Sequence, residues 1–183
     1  MNFEFQPTLI GELIELRPLR EADWQELFTA ASDPLIWEQH PEPNRYTEEA
    51  FQKYFLGAME CGGAFAVVDR KTGSIIGSSR YMKYFLESGS VADNVIEIGF
   101  SFLARAYWGG PYNREVKYLL MRHAFQFVDR ILFVIGPENY RSQRATEKLG
   151  GVRNDDPLYE YAQSCSYVYA VTRERFARTF ATV

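Results

Sequence analysis

A chain of 183 residues, 46% of them apolar, suits a single domain with a sizeable core and is too apolar for a disordered segment. Its net charge of -4 and pI near 5.3 argue against general affinity for nucleic acid. Two cysteines, Cys61 and Cys165, and two histidines show no metal-ligand spacing, and no stretch approaches the ~20 apolar residues of a membrane span. With no basic, apolar leader at the N-terminus either, the expected setting is cytoplasmic, without metal or membrane.

In chain order, LIGELIELRPL (Leu9 to Leu19) alternates apolar and polar residues and predicts one half-buried strand. READWQELFTAAS predicts a helix with Trp24, Leu27 and Phe28 on one face. Thr47 is placed to cap a second helix that carries Phe51, Tyr54 and Phe55. Two strands around the Lys71-Thr72-Gly73 turn predict a hairpin. VIEIGFSFL (95–103) predicts a strand, residues 111–128 a helix, and RILFVIG a buried strand, which together make a β-α-β unit with parallel strands. A helix follows from about Asn139 to Leu149, stopping at Gly150-Gly151, and then a closing strand with a short terminal helix.

Ligands of open α/β sheets bind beyond the carboxyl ends of parallel strands, so Tyr107 to Asn113 fall at the mouth of a crevice. There Gly109 and Gly110 can bring bare backbone close to a ligand. Pro111 has no N–H, but proline is favoured as the first residue of a helix, where that N–H would be unpaired anyway. Read so, Pro111 marks the helix start and leaves the amides of Gly109, Gly110, Tyr112 and Asn113 free for an anion. The bland alternative is chain punctuation, and the turn is neither a Walker A loop nor a dinucleotide fingerprint. The helix from about Asn139 adds weight: Asn139, Ser142, Ala145, Thr146 and Leu149 share a face that is small and polar near its start, which suits a long, narrow ligand. Arg141, Arg144 and Lys148 form a basic stripe beside it.

IEIGF (Ile96 to Phe100), YWGGPYNRE (Tyr107 to Glu115) and ENYRSQRATEKLGG (Glu138 to Gly151) together resemble the GNAT superfamily of N-acetyltransferases, nearest the branch of ribosomal-protein N-terminal acetyltransferases. The resemblance spans nearly the whole chain, 1–183, as one domain. It implies a mixed α/β fold whose central sheet is mostly antiparallel and flanked by helices, with two parallel strands splayed apart to admit acetyl-CoA. It places the pyrophosphate on the amides from Gly109 to Asn113, beside Trp108 and Tyr112, and the pantetheine and thioester on main chain of Ile98, Gly99 and Phe100. Asn139 and Ser142 would face the pantetheine arm, and Arg144 the nucleotide phosphates. Trp37, His40 and Arg45 lie where relatives shape the acceptor pocket, with Tyr81 as a further border. The sequence departs from the family in having Pro111 in place of a glycine, Thr146 in place of a tyrosine that serves as general acid, and Gly150-Gly151 where Gly-Phe is common.

The implied chemistry is direct attack of a neutral amine, on a peptide N-terminus or a small molecule, upon the thioester. Glu97 is the candidate base, with a strand salt bridge as its rival role. Ser142 is the candidate proton donor to the thiolate, with helix packing as its rival. His123, on an apolar stripe, reads as core. The alternatives are a non-catalytic acyl-CoA-binding or sensing module and a nucleotide-phosphate binder. An aromatic-rich surface would be compatible with a homodimer.

Overall fold

The computed structural model describes residues 3–86, 90–154 and 166–181. Its centre is one sheet of eight strands. β1 (Leu9–Ile10), β2 (Ile14–Pro18), β3 (Ala64–Asp69), β4 (Ile75–Met82), β5 (Val95–Leu103), β6 (Arg130–Ile135), β7 (Val152–Arg153) and β8 (Tyr167–Thr172) lie in the order β1-β2-β3-β4-β5-β6-β8-β7. Among the described residues only β5 and β6 pair in parallel; every other neighbour is antiparallel. The helices are α1 (Trp24–Ala31), α2 (Glu48–Glu60), α3 (Tyr112–Ala124), α4 (Tyr140–Lys148) and α5 (Arg173–Phe180). The β-α-β unit expected from the sequence is β5-α3-β6, and the Lys71-Thr72-Gly73 hairpin joins β3 to β4. No helix among the described residues is long and apolar enough to cross a membrane.

The sheet separates two apolar layers. On one face Val116, Leu119 and Leu120 of α3 meet Ile96 and Ile98 of β5 and Ile131 of β6. On the other, Leu27 of α1 and Phe51 and Phe55 of α2 cover Ala66 and Phe102. Thr47 caps α2 by accepting from the Ala50 amide at 3.4 Å. His123 is buried in the first layer, its Nε2 2.9 Å from the Glu4 carbonyl and its ring edge-on to Phe3. Cys61 carries a free thiol at the end of α2; Cys165 lies outside the described residues.

Three expectations are corrected. Residues 9–19 form not one strand but a hairpin, β1 and β2, broken at Gly11. The reason lies far away in sequence: the Glu115 carboxylate accepts from the amides of Glu12, Leu13 and Ile14 at 2.6, 2.9 and 3.0 Å. Gly11 makes room for it, since a Cβ there would stand 2.7 Å from that carboxyl group. The helix expected over 111–128 ends at Ala124, where the amides of both Phe127 and Val128 turn back to the Ala124 carbonyl. Pro111 is the residue before the first helical one rather than the first itself, although its carbonyl already accepts from Glu115 N at 2.9 Å.

Candidate active site

β5 and β6 are paired only at their beginnings, through Val95, Ile96 and Glu97 opposite Arg130, Ile131 and Leu132. Beyond those pairs the strands run on to Leu103 and Ile135 unpaired with each other. The parting coincides with a bulge in β5. Ser78 opposes Phe102 and Arg80 opposes Gly99, so Phe100 and Ser101 share one partner position on β4. Phe100 takes a left-handed backbone, φ 51°, which is uncommon outside glycine, and a bulge of this kind bends and twists its strand. Its carbonyl is held by the Tyr54 hydroxyl at 2.7 Å. Beneath it Arg80, 3% exposed, stacks between Phe100 and Tyr54 at 4.5 and 4.3 Å, and its Nε has no hydrogen-bond partner.

The gap opens into a cavity of about 800 Å³. Its walls are the separated ends of β5 and β6, the starts of α3 and α4, and the loop from Ile36 to Pro41. At its mouth Gly109 has φ 72°, and the amides of Gly109, Gly110, Tyr112, Asn113 and Arg114 donate to nothing among the described residues. That is a run of five free N–H groups around one proline, at the positive end of a helix thirteen residues long. Such a row fits a diphosphate, and the small, polar start of α4 across the gap leaves room for a narrow chain.

Of the residues expected at a donor site, Ile98, Gly99, Phe100, Trp108, Gly109, Gly110, Asn113, Asn139, Ser142 and Arg144 all line this cavity. The Asn139 side-chain oxygen is occupied as the cap of α4, accepting from Ser142 N at 3.1 Å, which leaves its NH2 group to face a ligand. The Ser142 hydroxyl has no partner among the described residues. Tyr112 contributes only its amide: its ring packs edge-on to Tyr107 and its hydroxyl points at Asp69, 3.5 Å away. Trp108 is fixed by an indole N–H bond to the Leu103 carbonyl at 2.8 Å and by the Arg141 guanidinium 4.2 Å above its ring.

On the acceptor side Trp37 and His40 line the cavity, whereas Arg45 and Tyr81 do not. Arg45 is buried behind the wall, stacked on Trp37, Tyr54 and Phe100 and paired with Glu42 at 2.9 Å. Tyr81 lies in the core layer under α3, its hydroxyl donating to the Leu120 carbonyl. Burial, and then the Arg45 charge, lower His40 to about 4. Both its ring nitrogens face donors, the Glu42 amide and the Arg45 guanidinium, so it is poorly placed to take a proton from substrate.

Glu97 stands apart from the cavity wall, on the face of β5 turned away from α3, with its carboxyl folded over Gly99. It is 7% exposed, and no salt bridge to it exists among the described residues. Burial alone raises it from 4.5 to about 7. Thr146, at the position of the family's tyrosine, is buried on the cavity side of α4 and packs against Gly151.

Two further residues belong to the site: Lys117, which no expectation from the sequence includes, and Arg141, expected only as part of a basic stripe. Lys117 lines the cavity between the two strands; its only sequence signal is that it follows Asn113 by one helical turn. Arg141 joins three parts of the site, donating to the Ile36 carbonyl at 2.9 Å, pairing with Glu38 at 3.2 Å and stacking on Trp108.

A family description, the acetyltransferase (GNAT) domain, matches residues 14–152, and with them both strands of the gap, the glycine turn and α4. The chain belongs to the GNAT acetyltransferase family. Membership implies acetyl transfer from acetyl-CoA. Solved structures share the GNAT fold over nearly the full length. A GCN5-related N-acetyltransferase from Brucella melitensis is 22% identical with a TM-score of 0.73, covering 95% of this chain and 82% of that one. A GNAT-family acetyltransferase from Bacillus anthracis is 23% identical with a TM-score of 0.71, covering 92% and 99%. Mycobacterium smegmatis RimJ, solved in complex with CoA-disulfide, is 16% identical with a TM-score of 0.68, covering 97% and 94%.

Proposed function

We propose that this GNAT chain transfers the acetyl group of acetyl-CoA to a primary amine, a peptide N-terminus or a small molecule, by direct attack with both substrates bound. The observation that carries this reading is the row of free amides from Gly109 to Arg114 at the mouth of the gap between β5 and β6. Acetyl-CoA supplies a thioester, whose carbonyl is open to attack and whose sulfur leaves readily because a free thiol has a pKa of about 8.5.

The chain's residues do the rest. The amides of the glycine turn hold the diphosphate, with Arg144 beside it, and Asn139 orients the pantetheine amides. Main-chain N–H groups near Gly99 to Ser101 face the carbonyl oxygen and stabilise the charge it gains. Trp37 and His40 form the wall on which the acceptor rests. Glu97, with its carboxyl raised to about 7 by burial, takes the amine proton at Gly99 through one water. The unpartnered Ser142 hydroxyl passes a proton to the departing sulfur.

Thermal melting with acetyl-CoA, CoA and ATP in parallel tests the donor site. At ~100 times its dissociation constant either CoA species should stabilise the fold by about 2.7 kcal/mol, and ATP by much less. Equal shifts with ATP would turn the reading toward a nucleotide-phosphate binder. CoA binding without turnover across a panel of amines would favour a non-catalytic acyl-CoA module, for which Thr146 in place of tyrosine is the supporting observation.

A further inference from the structure

One amine in the site has no part in this mechanism. Lys117 reaches from the second turn of α3 into the gap, where Nζ donates to Ser101 Oγ of β5 at 2.5 Å and lies 5.3 Å from the Phe133 ring of β6. It therefore sits between the two strands that part. Ser101 Oγ is bonded in turn to Ser79 Oγ at 2.7 Å and lies 3.3 Å from the Gly99 carbonyl. The lysine is 7% exposed, and no carboxylate pairs with it among the described residues.

A buried ammonium with no counter-charge is unfavourable, and here burial lowers the group from 10.5 to about 7. A large share of the molecules then carry a neutral amine with a free lone pair at neutral pH. Anchoring phosphate is a task for a permanent cation, and the exposed Arg144 and Lys148 at the cavity rim suit it better. An unprotonated primary amine inside the donor's own cavity is chemically the same nucleophile as the acceptor.

We propose that Lys117 is a self-acetylation site, modified from acetyl-CoA bound in the gap between β5 and β6. Nζ attacks the thioester carbonyl carbon; the C–N bond forms and the C–S bond breaks. The proton lost by Nζ passes through the Ser101 hydroxyl to the sulfur, so that CoA leaves as the free thiol and the lysine is left as a neutral amide. The acetyl group then occupies space between Ser101 and Phe133, and the modified chain binds its next donor more weakly. The inference rests on the donor site proposed above.

The full-length chain is incubated with acetyl-CoA and no acceptor. Its intact mass is followed over time, the modified lysine is located by digestion, and CoA binding is read by thermal shift on the same preparation. The expected result is one acetyl group per chain on Lys117, appearing at a rate independent of protein concentration and faster than at the exposed Lys53. It should be absent in heat-unfolded protein, in Lys117→Arg and in Lys117→Met. Mapping on the wild-type chain stands even if neither variant folds. A CoA-dependent thermal shift with Lys117 unmodified, or modified no faster than Lys53, overturns self-acetylation and leaves the donor site standing. No shift and no acetylation overturns both.

Discussion

Glu97 and Lys117 are ionisable groups of opposite kind that burial drives toward the same neutral state, one raised to about 7 and the other lowered to about 7. They do not pair: Glu97 stands on the face of β5 away from α3, and Lys117 arrives from α3. The Glu97 shift has a consequence for stability. Between pH 4.5 and 7 the unfolded chain has lost the proton that the folded chain keeps. Folding then binds a proton, and stability falls as pH rises through this window, by about 3 kcal/mol in all. Glu97→Gln removes the titration. Urea unfolding at the two ends of the window should show the variant gaining on wild type by about that amount as pH rises. A gap that does not change with pH would mean that Glu97 is already ionised in the folded chain. If Glu97 is the base, the same variant should also lose the rise of acetyl transfer with pH near neutrality.

Among the elements, α3 does two jobs at one end. Its first-turn amides face the cavity, while Glu115 in the same turn reaches the other way and fastens the β1-β2 hairpin. The glutamate of the YWGGPYNRE motif is therefore an anchor and not a group of the cavity. Charge-assisted bonds to backbone amides are among the stronger kind, so Glu115→Ala should cost roughly 2–3 kcal/mol by urea unfolding, with Glu115→Gln recovering part of it. A loss under about 0.5 kcal/mol, the usual range of a surface substitution, would show that the three bonds are not held in solution.

Periodicity made α3 legible, since its apolar residues recur at helical spacing, and the cap signal of Thr47 marked where α2 starts. The break at Gly11 was not legible, because alternation continues across it and the acceptor that bends the chain is supplied 101–103 residues later. The site divides in the same way. Glycines and small polar residues in local motifs pointed to the amide row and to α4, where neighbours in sequence are neighbours in space. Arg45 and Tyr81 were placed at the pocket from their position in the chain, but which way each points depends on packing partners in other elements. Lys117 carries no such signal, because a lysine on an amphipathic helix normally faces water; only the parting of β5 from β6 makes a hole for it to fill.

At the scale of the whole molecule, the sheet trades continuity for a binding slot. Parallel strands that would otherwise be buried and paired along their length leave main-chain groups of β5 beyond Glu97 facing an open gap. Filling the gap should quiet those groups. Hydrogen exchange with CoA added is expected to slow over 98–103 and 109–114 and to stay unchanged over β3, whose partners on both sides are strands. Slowing spread evenly over the sheet would instead indicate general tightening, with no slot.

The three bonds from Glu115 also bear on how the chain is made. The amides of Glu12, Leu13 and Ile14 leave the ribosome long before the carboxylate that satisfies them has been synthesised. At ~5–20 residues per second the delay is roughly 5–20 s, far longer than a hairpin needs to form. The first segment translated is thus among the last to close. Nascent chains arrested at increasing lengths should stay open to protease around Gly11 until the turn bearing Glu115 has cleared the exit tunnel.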